Sequence, residues 1–179
     1  MNKAVFLDRD GVVIQARVIN GHPYPVTSLN EVQITQGFEQ VLQKLHDSGY
    51  LLIVVTNQPD VARGTQTKEM VETINQSLLE LLPIDEIYTC YHDNADACDC
   101  RKPKPGLLLQ AAREFEIDLN KSFMVGDRWS DIEAGKAAGC RTIYIQYGYE
   151  EKGAVGYNSL AINPLEIYDI ITGGLGEEN

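Results

Sequence analysis

Apolar segments of strand length alternate with helix-period segments along most of this 179-residue chain, and that alternation limits the fold more than any other feature. Residues 3–7 read as a first strand, and the continuous apolar run 51–56 suits a strand buried on both faces of a parallel sheet. Within 37–48, Phe38, Val41, Leu42 and Leu45 recur at helical spacing, and Gly49 closes the segment. A second helix over 67–82 is stopped by Pro83, a short strand follows at 86–91, and Pro105 opens a helix over 105–115. A strand over 122–125, a helix over 130–138 and a fifth strand over 141–146 complete the pattern. Such units build an α/β, doubly wound, mainly parallel five-stranded sheet whose reactive crevice lies beyond the carboxyl ends of its strands. With 44% hydrophobic residues the chain can bury one core, so residues 1–179 are expected to form a single domain. The tail 147–179 is glycine-rich and poorly periodic apart from 165–171, read as a short packing helix.

Charge narrows the partners. A formal net charge of -11 disfavours nucleic acid and anionic membranes, both of which need a basic surface. Yet Arg9, Arg63, Arg101, Lys102, Lys104 and Arg128 all fall in or beside the motifs below, so a small anionic substrate fits a locally basic site. The N-terminus runs from Met1-Asn2-Lys3 straight into a strand with no secretory apolar region, and no run has membrane-spanning length. A cytoplasmic monomer is expected. Its thiols should then be reduced, and clustered cysteines in such a protein read as metal ligands rather than disulfides.

Every chemically suggestive motif falls at a strand end. Asp8-Arg9-Asp10-Gly11 follows the first strand, Thr56-Asn57-Gln58 the second, a Cys/His segment the third and Gly126-Asp127-Arg128 the fourth. Two aspartates one residue apart set carboxylates side by side. Their repulsion favours one ionised, nucleophilic group and one protonated group able to act as acid, the division of labour that phosphomonoester hydrolysis needs. Taken alone, the pair reads first as ordinary turn chemistry; the co-location of the other motifs reverses that reading.

Cys90-Tyr91-His92 and Cys98-Asp99-Cys100 supply four soft or borderline ligands, which fit a closed tetrahedral zinc site. The polar residues between them do not suit a core. A closed site leaves no position for water, so this Zn2+ is expected to be structural, organising a zinc loop over 90–104 that delivers Arg101 and Lys102. Cys140 reads as a buried core residue, His46 as a solvated partner of a helix C-terminus, and His22, in a proline-stiffened loop, as exposed or lining the crevice.

Up to Gln146 the chain resembles the haloacid dehalogenase (HAD) superfamily of aspartate-nucleophile phosphatases. The resemblance is carried in order by Asp8-Arg9-Asp10-Gly11, Thr56, Lys102, and Gly126-Asp127 with Asp131. It implies a Rossmann-like sheet and covalent phosphoryl transfer, with Asp8 the nucleophile and Asp10 the acid and then base. It also implies a catalytic Mg2+ held by Asp8, Asp127 and the Asp10 backbone carbonyl. Thr56 and Lys102 would bind the phosphoryl oxygens, and Asp131 would orient Lys102 or a metal-bound water, or else serve simply as a helix-start acid.

Residues 11–36 and the span from Gln58 to Arg101 leave no room for a cap domain, so the enzyme is expected to be capless. Asn57-Gln58-Pro59-Asp60-Val61-Ala62-Arg63-Gly64, the cysteine spacing and Arg101-Lys102-Pro103-Lys104 resemble the subfamily of heptose 1,7-bisphosphate phosphatases and related histidinol phosphatases. That implies removal of the 7-phosphate of D-glycero-D-manno-heptose 1,7-bisphosphate, a precursor step toward lipopolysaccharide or another surface glycan. Asn57, Gln58, Arg63 and Arg101 would bind substrate, with Arg128 in support. Histidinol phosphate stands as the alternative, with Asp60 and Asp93 available for its ammonium. A zinc-bearing interaction module without catalysis is the alternative from another class.

Overall fold

The computed structural model describes residues 1–173. Its centre is a six-stranded parallel sheet of β1 (Lys3–Leu7), β4 (Tyr50–Asn57), β5 (Glu86–Cys90), β6 (Phe123–Gly126), β7 (Arg141–Ile145) and β8 (Ser159–Ala161), ordered β5-β4-β1-β6-β7-β8. From β1 the chain builds outward through β4 and β5, then returns to the other side of β1 with β6. The order therefore reverses beside β1, where a crevice opens at the carboxyl edge.

Alternation along β1 explains the two cores. Val5 and Leu7 face α1 (Phe38–Asp47), α2 (Lys68–Leu81) and α5 (Ile167–Thr172), joining Phe38, Leu42, Leu45, Ile74, Leu78 and Ile167. Ala4 and Phe6 face the opposite side, with Leu107, Leu108 and Ala111 of α3 (Gly106–Glu114) and Ala134 of α4 (Trp129–Ala138). Burying a large apolar side chain contributes about 1.5–3 kcal/mol, so both layers hold the strand ends rigidly in register. Cys140 is buried in the second core, and His46 is half exposed next to Asp47.

The structure corrects the expected strand count from five to six. β8 lies in the tail read as poorly periodic and pairs in parallel with β7, Ile143 opposite Ser159. Three residues are too few to show a period, and the strand is secured by a side chain: Asn158 Oδ1 accepts from the Thr142 N–H at 2.8 Å. The helix placed at 165–171 is a 3-10 turn, Pro164–Glu166, running into α5. The part of the expected tail from 174 to 179 lies outside the described residues.

A second correction concerns residues 11–36, read as loop. Here β2 (Arg17–Ile19) and β3 (His22–Tyr24) form an antiparallel ribbon joined by Asn20 and Gly21, both at positive φ (50° and 76°). Asn-Gly at a two-residue turn is the usual way to close such a ribbon. No helix among the described residues is long and apolar enough to cross a membrane.

Candidate active site

Asp8 and Asp10 follow β1, Asp127 follows β6, and Asp131 sits in the first turn of α4, so the switch point brings them together. Oxygens of Asp8, Asp127 and Asp131 lie within 4.8 Å of one another. Close approach demands glycine: a Cβ on Gly11, whose φ is +103°, would stand 2.0 Å from Asp127 Oδ2, and one on Gly126 would stand 2.1 Å from Asp131 Cβ.

Lys102 reaches into this cluster almost fully buried. Its Nζ donates to Asp8 Oδ1 at 2.7 Å, Asp131 Oδ1 at 2.7 Å and the Val55 carbonyl at 2.8 Å. Asn57 ties the lysine backbone to the end of β4: its Nδ2 donates to the Lys102 carbonyl, and its Oδ1 accepts from the Lys102 N–H, both at 3.1 Å. Burial pulls the Lys102 ammonium down, but Asp131 and Asp8 outweigh it and hold the pKa above the ordinary value. Burial, then Asp131, pushes the Asp8 carboxyl up, with Lys102 opposing. Asp127 is raised well above the usual range, by burial first and then by Asp8 and Asp131. The like charge that perturbs Asp8 is thus Asp131, from the helix after the neighbouring strand β6, whereas the adjacent-pair reading placed it at Asp10.

Asp10 has donors of its own. Its Oδ1 accepts from the Val26 N–H at 3.0 Å, and its Oδ2 from Gln58 Nε2 at 3.0 Å and Arg9 Nε at 2.9 Å. Gln58 also donates to Thr56 Oγ1 at 2.9 Å, linking the end of β4 to the aspartate loop. Arg9, counted among the cations of a basic site, faces the interior instead: it is fully buried and its second nitrogen donates to Asn75 Oδ1 at 3.0 Å. Asn75 interrupts the apolar stripe Val71, Ile74, Leu78 of α2, a signal readable in the sequence that marks it as the buried partner of a polar group.

Hydrogen-bond accounting separates the three clustered carboxylates. Both oxygens of Asp131 are engaged, Oδ1 by Lys102 and Oδ2 by the Arg128 N–H at 3.1 Å, so it orients the lysine and caps the helix at once. Asp127 Oδ2 accepts from the Tyr149 hydroxyl at 2.7 Å, while Asp127 Oδ1 is buried with no partner among the described residues. A buried, orphaned carboxylate oxygen beside Asp8 fits a hard divalent cation. Tyr149 escaped the sequence reading because nothing in the tail's pattern points toward Asp127. Burial, with Asp127 beside it, pushes its phenol pKa up and keeps it a donor.

Asp8, Asp10, Thr56 and Lys102 line a cavity of about 50 Å³, of phosphate size, which opens into a cleft of about 440 Å³. Pro23, Tyr24 and Pro25 of the ribbon border both, and His22 lines the larger one. Three arginines line the cleft. Arg63 is held by Asp93, at 2.7 and 2.8 Å, and by Asp60 at 3.3 Å; Arg128 is held by Glu151 at 2.9 and 2.7 Å. Arg101 donates to Asn94 Oδ1 at 2.8 Å and is the one of the three with no carboxylate partner among the described residues. Lys104 turns away to the Cys98 carbonyl and Asp99.

At the end of β5 the four soft ligands converge. Cys90 Sγ lies 3.7 Å from Cys98 Sγ and 3.6 Å from His92 Nδ1, while Cys100 Sγ lies 3.5 Å from Cys98, 3.3 Å from His92 and 2.7 Å from Cys90. Most of these spacings approach the edge of about 3.8 Å that zinc–sulfur bonds of about 2.3 Å impose on a tetrahedron. All the cysteines are free, and burial acting on Cys98 is outweighed by the Arg101 N–H and the neighbouring thiols, which hold its pKa down to about 7.

Comparison with known proteins places the fold and site in a class. The family model described as HAD-hydrolase-like matches residues 99–170. The chain is 41% identical, over 83% of its length and 84% of the relative's, to the D-glycero-beta-D-manno-heptose-1,7-bisphosphate 7-phosphatase of Pasteurella multocida. It is 40% identical to that of Helicobacter pylori strain J99, over 75% of this chain and 77% of the relative. Among solved structures, the D,D-heptose 1,7-bisphosphate phosphatase of B. bronchiseptica, crystallised with magnesium and phosphate, superposes with a TM-score of 0.78 at 27% identity, covering 96% of this chain and 99% of that one. The chain belongs to the HAD superfamily of hydrolases, within the heptose-bisphosphate phosphatase family. It is a phosphatase, and the reading as an interaction module without catalysis falls away. Phosphatases of this superfamily use Mg2+.

Proposed function

We propose that the protein removes the 7-phosphate of D-glycero-D-manno-heptose 1,7-bisphosphate through an aspartyl-phosphate on Asp8, with the β anomer as substrate. The observation that carries this reading is the two-part cavity: a phosphate-sized pocket over Asp8 opening into a cleft where Arg101 has no carboxylate partner among the described residues. The 7-phosphate enters the small pocket. Thr56 and the Lys102 ammonium face its equatorial oxygens, where charge collects in the transition state. An Asp8 oxygen attacks phosphorus, the P–O bond to C7 breaks, and Asp10 gives its proton to the departing alkoxide. Water then attacks the aspartyl-phosphate, Asp10 takes the water's proton, and inorganic phosphate leaves. Asp8, Asp127 through its orphaned Oδ1, and the Asp10 carbonyl would hold Mg2+, which supplies charge neutralisation between carboxylate and phosphate.

Cys90, His92, Cys98 and Cys100 would hold Zn2+ in a closed site, and its work is to shape the loop that ends in Arg101 and Lys102. Arg101 takes the distal phosphate. Arg63, expected to bind substrate, instead occupies Asp60 and Asp93, the two carboxylates a histidinol ammonium would need. That pairing favours the bisphosphate over histidinol phosphate.

The test is kcat/KM measured side by side on both heptose bisphosphate anomers and on histidinol phosphate. The bisphosphate, β anomer first, is expected to lead; preference for histidinol phosphate overturns the reading.

A further inference from the structure

We propose that Tyr149 is a positioning residue of the cation site: its hydroxyl fixes the Asp127 carboxylate so that a single oxygen faces the metal. The inference rests on the magnesium reading above and extends it to a residue of the segment that follows β7.

Three independent features support it. The Tyr149 hydroxyl donates to Asp127 Oδ2 at 2.7 Å, leaving Oδ1 buried and without a partner among the described residues. Gly11 packs against the same carboxylate, since a Cβ there would lie 2.0 Å from Oδ2 and 2.5 Å from Cγ. Backbone and phenol therefore both bear on Oδ2, and that carboxylate has little freedom to rotate.

The tyrosine is itself anchored. Its ring lies against that of Tyr147 at 5.6 Å. The next residue's N–H donates to the Gly21 carbonyl at 2.9 Å, and the one after, Glu151, grips Arg128 at 2.7 Å. A donor whose two following residues are both tied has little freedom to follow Asp127 if it turns, so it restrains the carboxylate rather than trailing it. Hydrogen-bond partners of this kind orient metal ligands, and their loss typically costs about 10–100-fold in metal affinity or activity.

The rival is that Tyr149 merely ties its segment down, in which case losing the hydroxyl changes stability and leaves metal affinity alone. The experiment takes the zinc-loaded full chain stripped of magnesium and titrates Mg2+ by calorimetry into wild type, Tyr149→Phe and Tyr147→Phe. Each protein's magnesium-induced rise in unfolding midpoint is read against its own metal-free baseline, so lower stability by itself does not count. Tyr149→Phe should bind Mg2+ about 10–100-fold more weakly, with kcat and substrate KM restored at saturating Mg2+. Tyr147→Phe should bind as wild type does. Wild-type Mg2+ affinity in Tyr149→Phe overturns the proposal while sparing the magnesium reading. A wild-type protein that binds no Mg2+ overturns both.

Discussion

The carboxylate centre and the thiol cluster lie on the same carboxyl edge of the sheet with β4 between them, yet they are held in opposite ways. Asp8, Asp127, Asp131 and Lys102 are all buried, and each is tied to a strand end or helix start that two hydrophobic layers keep in place. Gathering three carboxylates and one ammonium there costs several kcal/mol per ion before pairing, which the Lys102 contacts to Asp8 and Asp131 offset in part. In the thiol cluster only Cys90, on β5, is buried; Cys98 and Cys100 are half buried, His92 is exposed, and their loop carries mostly exposed polar contacts. One site is built by the fold itself, from strand ends and a helix start. The other rests on a loop whose ordering we assign to a bound zinc, and that loop carries Lys102 into the first site.

Four experiments test this contrast. The largest effect belongs to Asp8→Asn, which should lower kcat by about four orders of magnitude or more, as loss of a covalent nucleophile does elsewhere, with little change in unfolding midpoint. Asp10→Asn should lose about 10²–10⁴-fold. It should also accumulate phosphorylated protein, detectable by mass spectrometry; near wild-type turnover by Asp8→Asn removes the covalent mechanism.

Cys100→Ser, or zinc extraction, comes next. Activity should fall by about 100-fold, the upper end of losses from metal-supporting contacts, with faster amide exchange across 90–104 and little change in the β1 and β6 strands. Elemental analysis should find one zinc per chain. A zinc-free preparation with full activity and a protected loop would show that the thiol site also stands on its own.

Arg101→Ala should cost about 2 kcal/mol in kcat/KM on the bisphosphate, the scale of a charge-assisted contact, and much less on a small artificial phosphomonoester. Equal losses on both would reassign Arg101 to holding the loop through Asn94.

The smallest shift is a gain in stability, at a residue whose loss is otherwise severe. Asp127→Asn should abolish magnesium-dependent turnover yet raise the metal-free unfolding midpoint at neutral pH by about 2–4 °C, which about 1 kcal/mol produces in a chain of this size. The direction follows from the raised Asp127 carboxyl, pushed up by burial and by Asp8. A carboxyl whose folded pKa lies above its unfolded one binds more protons when folded, so its penalty is full above the folded pKa and fades as pH falls toward the ordinary value of about 3.9. The advantage of Asp127→Asn should therefore shrink on acidification and vanish near pH 4; an advantage independent of pH contradicts the electrostatic origin.

By itself the sequence determined the α/β alternation, because periods of two and 3.6 are local properties of the chain. It also exposed the strand-end positions of Asp8, Asp10, Thr56 and Asp127, and the Cys/His spacing. The Asn20-Gly21 signal for the β2-β3 ribbon was present as well, but masked by the prolines around it. The rest needed tertiary structure because it depends on which groups satisfy one another. Asp131's double role follows from Lys102 and the Arg128 N–H converging on it from different elements. The inward turn of Arg9 depends on Asn75, 66 positions away, and the capture of Arg63 on Asp93, 30 positions away. Tyr149 reaches Asp127 because β7 lies beside β6 and the segment after it folds back over the same carboxyl edge. Spacing along a chain reports which faces are apolar; the pairing of buried polar groups is decided when distant segments meet and each donor must find an acceptor.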